Sequence, residues 1–283
     1  MITPFKEDKS VDFKAFENLI ENLIRNQVDY LLILGTTAES VTLKDEEKKA
    51  LIATAIRVNA GRVPLMLGIG GNCTENVIED IKKQNFEGID AILSVTPYYN
   101  KPNQEGLYLH YCEIAKASPV PVMLYNVPGR TGINMSAATS IRIAKEHKNV
   151  IGIKEASGDF IQMMDLIKHR PKGFLVVSGD DAITFPLVTL GGDGVISVIA
   201  NAFPKEFSQM VRDVLNGDLD KSKAMHFRYT DIIKNLFIEG NPAGIKAVLN
   251  IQNMIKNELR LPLVPVSNST YVQLKEQVNE VFR

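Results

Sequence analysis

Short apolar runs rich in branched residues alternate along this chain with longer segments whose apolar positions recur every three or four residues. The runs are Tyr30–Leu34, Pro64–Ile69, Ala91–Thr96, Val120–Asn126, Val150–Lys154, Phe174–Ser178 and Val195–Ile199. Each has the length of a buried strand. The segments between them are Val11–Asn26, Lys44–Asn59, Thr74–Asn85, Gln104–Ala117, Ser136–His147 and Phe160–Lys168. In the first, Phe13, Phe16, Leu19, Ile20, Leu23 and Ile24 fall on one helical face. Strand and helix repeating in this way predict right-handed βαβ units around a parallel sheet. The pattern therefore predicts an α/β fold, a (β/α)8 TIM barrel with seven strands in view. Met1-Ile2-Thr3-Pro4, directly before the first helix, reads as the remnant of the eighth, so the first strand is expected to be truncated. A barrel short of most of one strand exposes two edges, which predicts a loss of stability.

From about Gly217 the alternation stops and the chain reads as helical throughout: Asp220–Glu239, Pro242–Asn257 and Ser269–Val281. The break Glu239-Gly240-Asn241-Pro242 separates two of these helices by turn and first-turn proline chemistry. The expected division is a barrel over residues 1–216 and a C-terminal helical extension over 217–283, fitted for an oligomer contact or a cap.

Composition narrows the function classes. With 32 Lys+Arg against 33 Asp+Glu the net charge is −1, which gives no support for a nucleic-acid partner or an anionic membrane surface. No apolar run approaches the roughly 18 residues of a membrane span, and the N-terminus has no signal-peptide pattern. Cys73 and Cys112 have neither metal nor redox spacing and suit a reducing cytosol, so a cytoplasmic protein is expected. His110, His147, His169 and His226 lie on or near predicted helices without ligand spacing, and neither Gly68-Ile69-Gly70-Gly71 nor Gly191-Gly192-Asp193-Gly194 matches a phosphate loop. The expectation is an enzyme with no metal and no cofactor.

In a (β/α)8 barrel, catalytic groups stand at the C-terminal ends of strands and in the loops after them. Gly35-Thr36-Thr37-Ala38-Glu39 offers hydroxyls and backbone amides that could hold a carboxylate, or equally a threonine-rich helix start. Thr96-Pro97-Tyr98-Tyr99-Asn100-Lys101-Pro102 carries two phenols, which could serve packing or an interface as well as chemistry. Tyr125-Asn126-Val127-Pro128-Gly129-Arg130-Thr131-Gly132 adds a proton-shuttling phenol and a guanidinium able to clamp a carboxylate. Lys154 ends the run Val150–Lys154, and Ser178-Gly179-Asp180-Asp181 ends the next. Taken alone, Lys154 reads as a strand-end cation paired with Glu155 at the surface. The alternative is a nucleophile: an ordinary lysine is neutral in roughly one copy in a few thousand at pH 7, and a dry site raises that fraction. What favours the nucleophile is that hydroxyls, phenols, one arginine and one lysine all fall at ends predicted to converge.

Those four motifs, with Gly152-Ile153-Lys154-Glu155-Ala156-Ser157-Gly158 as the fourth, resemble the dihydrodipicolinate (4-hydroxy-tetrahydrodipicolinate) synthase family. This family sits within the N-acetylneuraminate lyase group of pyruvate-dependent class I aldolases. The likeness runs from Ile2-Thr3-Pro4-Phe5 to Asn241-Pro242 and Leu259-Arg260-Leu261-Pro262-Leu263. The resemblance implies a lyase that condenses pyruvate with L-aspartate 4-semialdehyde on the route to diaminopimelate and lysine. It implies that Lys154 forms the Schiff base, that Tyr125 passes protons with Thr36 and Tyr99, and that Tyr99 reaches a neighbouring subunit's site. Thr37 and Ile196 would contact the pyruvate-derived part, Arg130 the carboxylate of the semialdehyde, and Gly179 would be a further substrate-binding residue. A homotetramer built as a dimer of dimers is implied. The sister lyases of sialic acid and of 2-keto-3-deoxy-sugar acids usually have Ser-Thr at Thr36-Thr37 and lack the arginine, so Arg130 argues against them. A catalytically dead barrel acting as a binding protein would not need lysine, tyrosine and arginine together.

Two further departures from the family pattern carry expectations. Ala38 stands where glycine is common, which is tolerable only if the turn does not need a positive φ. The positions matching a lysine-binding regulatory site in some relatives are Ser40, Val41, Asp45, Lys48, Asn72, Asn76 and Tyr98. Asn76 replaces an acidic residue there and Lys48 adds like charge, so weak or absent inhibition by lysine is expected.

Overall fold

The computed structural model describes residues 1–281. In chain order the strands are β1 (Leu31–Ile33), β2 (Leu65–Gly68), β3 (Ala91–Val95), β4 (Val122–Asn126), β5 (Val150–Glu155), β6 (Leu175–Ser178) and β7 (Gly194–Val195). The helices are α1 (Phe13–Arg25), α2 (Asp45–Asn59), α3 (Thr74–Lys83), α4 (Gln104–Ala117), α5 (Pro128–Thr131), α6 (Ala137–Glu146), α7 (Phe160–His169), α8 (Thr184–Thr189), α9 (Pro204–Leu215), α10 (Leu219–Phe237), α11 (Ala243–Ile251) and α12 (Asn268–Val281). This succession of parallel strands with intervening helices is that of a (β/α)8 barrel, followed by a C-terminal helical extension. The chain falls into two compact units, Met66–Ile196 in one, and Met1–Leu65 with the stretch from Ser197 onward in the other.

The central unit is strand after strand in chain order, β2 to β7, each pair parallel. Side chains alternate across a strand, so each strand shows two faces. Ile92, Val122, Leu124, Val150, Ile153 and Val176 form one face and pack with Leu107, Tyr111, Ile114, Ile141 and Leu166 of the helices. Burying both strand faces is what makes these runs near-continuously apolar. Side-chain caps start the helices where the sequence turns polar: Asn103 accepts from Gly106 N at 2.8 Å, and Asp159 from Ile161 N at 2.9 Å.

The other unit joins the two ends of the chain. Helix α1 buries Phe16, Leu19, Ile20 and Leu23, the face its periodicity predicts. No strand precedes α1 among the described residues. Met1–Phe5 is nonetheless tied down: Ile2 N donates to Asn201 Oδ1 at 3.1 Å and Thr3 Oγ1 to the Ala38 carbonyl at 2.7 Å. Ile2 and Phe5 are fully buried.

Two expected elements are shorter than their patterns. The run Val195–Ile199 extends as a strand only through Val195. Beyond it Ser197 Oγ accepts from Ala200 N and Asn201 Nδ2 donates to the Val198 carbonyl, side-chain bonds that turn the backbone into the tight helical turn Ile199–Asn201. The helix expected to reach Asn257 ends at Ile251, and Asn253 takes a left-handed φ of 58°. Helices α5, α8 and α9 are additional to those expected.

Candidate active site

Lys154 and Tyr125 are neighbours because their strands are. In the β4–β5 ladder Tyr125 stands opposite Lys154, and in the β5–β6 ladder Lys154 stands opposite Val177. Side chains opposite each other in a parallel pair share a face. Both are buried, Lys154 to 7% exposure and Tyr125 to 5%. The Lys154 Nζ lies 4.3 Å from the centroid of the Tyr125 ring.

The surface ion pair with Glu155 does not form. Glu155 is the next residue on the strand, so its side chain leaves from the opposite face. There it is fully buried and accepts from Asn126 Nδ2 at 3.0 and 3.2 Å, Gln162 Nε2 at 3.0 Å and Ser157 N at 2.7 Å. Burial pushes its carboxyl up from the ordinary range, against the lowering effect of these bonds. Among the described residues no carboxylate is bonded to the Lys154 amine.

Gly179 follows β6 and donates its N–H to the Glu155 carbonyl at 2.7 Å. A β-carbon there would stand 3.0 Å from Lys154 Cε and 3.1 Å from Lys154 Cγ. The missing side chain is therefore the space through which the lysine stem passes. Ile196 is anchored next to it in the chain of strand ends, its N–H on the Ser178 carbonyl at 2.9 Å. Arg130 lies on α5, a single turn begun by Pro128 and closed by Gly132 at φ 72°, and is exposed. Tyr99 points outward at 85% exposure from a backbone at φ 72°.

Thr36 and Thr37 stand in the unit that contains the chain ends. They begin a tight helical turn, Thr36–Ala38, right after the strand β1 and Gly35. The left-handed residue of that turn is Glu39, with φ 53°; Ala38 is not one of the positive-φ residues, so its methyl is accommodated. Thr37 Oγ1 accepts from Asn241 Nδ2 at 2.9 Å, which leaves the threonine proton to be donated elsewhere. Sequence reasoning missed Asn241 as a partner of Thr37; the Gly240-Asn241-Pro242 break signals a turn, not what the turn holds.

The residues matched to a regulatory site divide between the two units. Ser40 and Val41 lie in the short turn Ser40–Thr42, Val41 being almost fully exposed, and Asp45 pairs with Lys48 at 3.4 Å on α2. In the central unit Asn72 Nδ2 donates to the Tyr98 carbonyl at 3.3 Å, and Asn76 is exposed on α3. Asp45 thus answers the like charge of Lys48 from within the same helix.

Among the described residues one metal-capable group occurs, Cys112, Glu146 and His147, with ligand atoms within 4.8 Å of one another. Two of its members are otherwise disposed: Tyr108 donates to Glu146 at 2.5 Å, Arg142 pairs with Glu146 at 3.6 Å, and burial pushes the Cys112 thiol up, away from the thiolate a metal takes. No described helix is long and apolar enough to cross a membrane.

Residues 1–281 match the model of the Dihydrodipicolinate synthetase family. The chain is 56% identical over 281 residues to a 4-hydroxy-tetrahydrodipicolinate synthase of Parabacteroides distasonis, covering 99% of this chain and 95% of the relative. Dihydrodipicolinate synthase from Thermotoga maritima has the same fold, with a TM-score of 0.97 at 41% identity over 100% of this chain and 96% of the other. The chloride-inhibited enzyme of Acinetobacter baumannii, complexed with pyruvate, gives 0.95 at 39% identity over 100% and 97%.

Proposed function

The chain belongs to the dihydrodipicolinate synthetase family, and on that premise we propose how its residues carry the reaction. It is a lyase of lysine and diaminopimelate biosynthesis that condenses pyruvate with L-aspartate 4-semialdehyde to give 4-hydroxy-tetrahydrodipicolinate. The observation that carries the residue assignment is the buried Lys154 amine, bonded to no carboxylate and set beside the buried ring of Tyr125. An amine in that setting attacks the keto carbon of pyruvate, and loss of water from the carbinolamine gives the imine. Loss of a methyl proton turns the imine into an enamine, which attacks the aldehyde carbon of the second substrate. The α-amino group that this substrate already carries then adds to the imine carbon, closing the ring, and the Lys154 amine leaves.

Tyr125 is the residue that passes protons in these steps, with Thr36 and Tyr99 completing the relay. Thr37, its hydroxyl oxygen already occupied by Asn241, donates its proton to the carboxylate of the pyruvate-derived part. Ile196 and Gly179 bound the same part, and Arg130 clamps the carboxylate of the semialdehyde in the forked geometry that only arginine offers. Exposed Tyr99 suits a partner subunit, in a homotetramer built as a dimer of dimers. The barrel, residues 1–216, carries the chemistry and residues 217–283 support it, in a cytoplasmic enzyme. With Ser40, Val41, Asp45, Lys48, Asn72, Asn76 and Tyr98 at the positions that match the regulatory site of some relatives, inhibition by lysine is weak or absent, because Asn76 brings no charge to meet an ammonium.

Borohydride reduction in the presence of pyruvate tests the assignment. A stable adduct on the tryptic peptide that contains Lys154 is expected, and none in Lys154→Ala, which should keep its circular dichroism. An adduct on another lysine, or none, would sink it.

A further inference from the structure

The pairing of β4 with β5 contains one extra residue. Val122 stands opposite Val150, but Met123 stands opposite Gly152, so Ile151 is passed over. Such a bulge moves everything after it by one position. Without it Tyr125 would face Ile153, and Asn126 would face Lys154. A shift of one residue also exchanges the two faces of a strand. The nearness of amine and phenol therefore depends on which of two registers the strand ends adopt.

At the end of the same ladder Asn126 stands opposite Glu155, one step beyond Tyr125 and Lys154. On the face turned from the lysine, Asn126 Nδ2 donates to both oxygens of Glu155, at 3.2 and 3.0 Å. Asn126 Oδ1 accepts from Met135 N at 3.0 Å, and Asn126 Nδ2 also donates to Asn134 Oδ1 at 2.7 Å, which ties β4 to the segment before α6. Glu155 accepts from Gln162 of α7 at 3.0 Å and from Ser157 N at 2.7 Å. All the partners of Glu155 are donors, so the site is built for an acceptor-only carboxylate. Both side chains are fully buried. In the slipped register Asn126 would meet a lysine instead, and the buried Glu155 would keep Gln162 and Ser157 but lose the one donor that β4 brings to it, an outcome costly for a carboxylate out of water.

We propose that Glu155 is a positioning residue for the reaction, which through Asn126 selects the strand register that sets Lys154 beside Tyr125. This rests on the reading of Lys154 as the Schiff-base lysine. It assigns a task to the residue next to the nucleophile that neither catalysis nor ordinary core packing supplies. An apolar pair at 126 and 155 would fill the same space but would fit either register equally well.

The test uses the full chain and two variants, Glu155→Gln, which is isosteric, and Asn126→Ala. Each is crystallised, and each is assayed for the rate of borohydride trapping of pyruvate at saturating pyruvate. The expected result is a Lys154 Nζ that has moved away from the Tyr125 ring, with a trapping rate lowered on the order of 10²-fold and a pyruvate half-saturation changed far less. Should Asn126→Ala not fold, Glu155→Gln decides alone. Unchanged register with a lowered rate, or an unchanged rate in a folded variant, would overturn the proposal. If the unaltered chain traps no pyruvate on Lys154, the Schiff-base reading fails separately, and the crystal structures still decide whether Glu155 sets the register.

Discussion

A β-carbon built on Gly179 would lie 2.6 Å from Ala156 Cβ and 3.0 Å from Lys154 Cε, closer than such atoms approach. Gly179 is not among the positive-φ residues, so space and not backbone freedom demands the glycine. Gly179→Ala must therefore push the strand end or the lysine stem aside. Overpacking of this kind costs about 1–3 kcal/mol, and displacing the amine costs rate as well. Gly179→Ala is expected to trap pyruvate at least roughly tenfold more slowly while remaining folded; a variant that traps at the unaltered rate would show that the lysine does not need this passage. The sequence carries only part of this. Family likeness marks Gly179, but the collision depends on how far β5 and β6 approach. The fate of Lys154 was more legible than its single-site reading allowed: adjacent residues on a strand leave by opposite faces, which already argues against a Lys154–Glu155 pair.

Among the elements, the strongly periodic helices were the most legible, and Gln104–Ala117 has the expected bounds. Periodicity reports burial on one face, which α1 and α4 have. It could not report the bulge at Ile151, because a passed-over residue is a property of two strands. Nor could it report the early end of β7, where Ser197 and Asn201 bond to the nearby backbone instead. His110 on α4 illustrates a cost that the elements bring. It is buried, its Nδ1 lies 2.8 Å from Thr74 Oγ1 of α3, and burial pulls it down to about 4. The folded protein keeps this imidazole neutral, whereas the unfolded chain takes up a proton below about 6.5. More protons on the unfolded state mean that stability falls with pH across the window between these values. From pH 7 to pH 5 the loss from this group is about 2 kcal/mol. Urea denaturation at the two pH values should give His110→Gln a smaller loss than the unaltered chain, by about that amount; an equal loss would remove His110 from the account.

At the scale of the whole molecule, the chain ends meet around a buried charge. Glu39, at the end of the Thr36–Ala38 turn, forms an ion pair with Lys246 of α11, and both side chains are fully buried. Arg260 N donates to Glu39 Oε2 at 3.1 Å from 221 positions away in the chain. Lys246 Nζ also donates to the Glu258 carbonyl at 2.9 Å and lies 4.1 Å from the centroid of the Phe5 ring. Burial draws this lysine down to about 8, although Glu39 opposes the shift. Glu39 was visible in the motif Gly35–Glu39, but its partner was not, since a lysine inside a predicted helix reads as a solvent-facing residue. A buried pair of this sort contributes little net stability, because two desolvations offset the attraction. Removing one partner is different. Lys246→Met leaves Glu39 charged and dry, at a cost of about 3–5 kcal/mol. The double variant Glu39→Gln with Lys246→Met removes the stranded charge, so it should be markedly more stable than Lys246→Met in urea denaturation. If the double and the single variant unfold at the same urea concentration, the loss comes from packing around the lysine stem and Phe5, and the ion pair is not what holds the Thr36–Thr37 turn to the C-terminal helices.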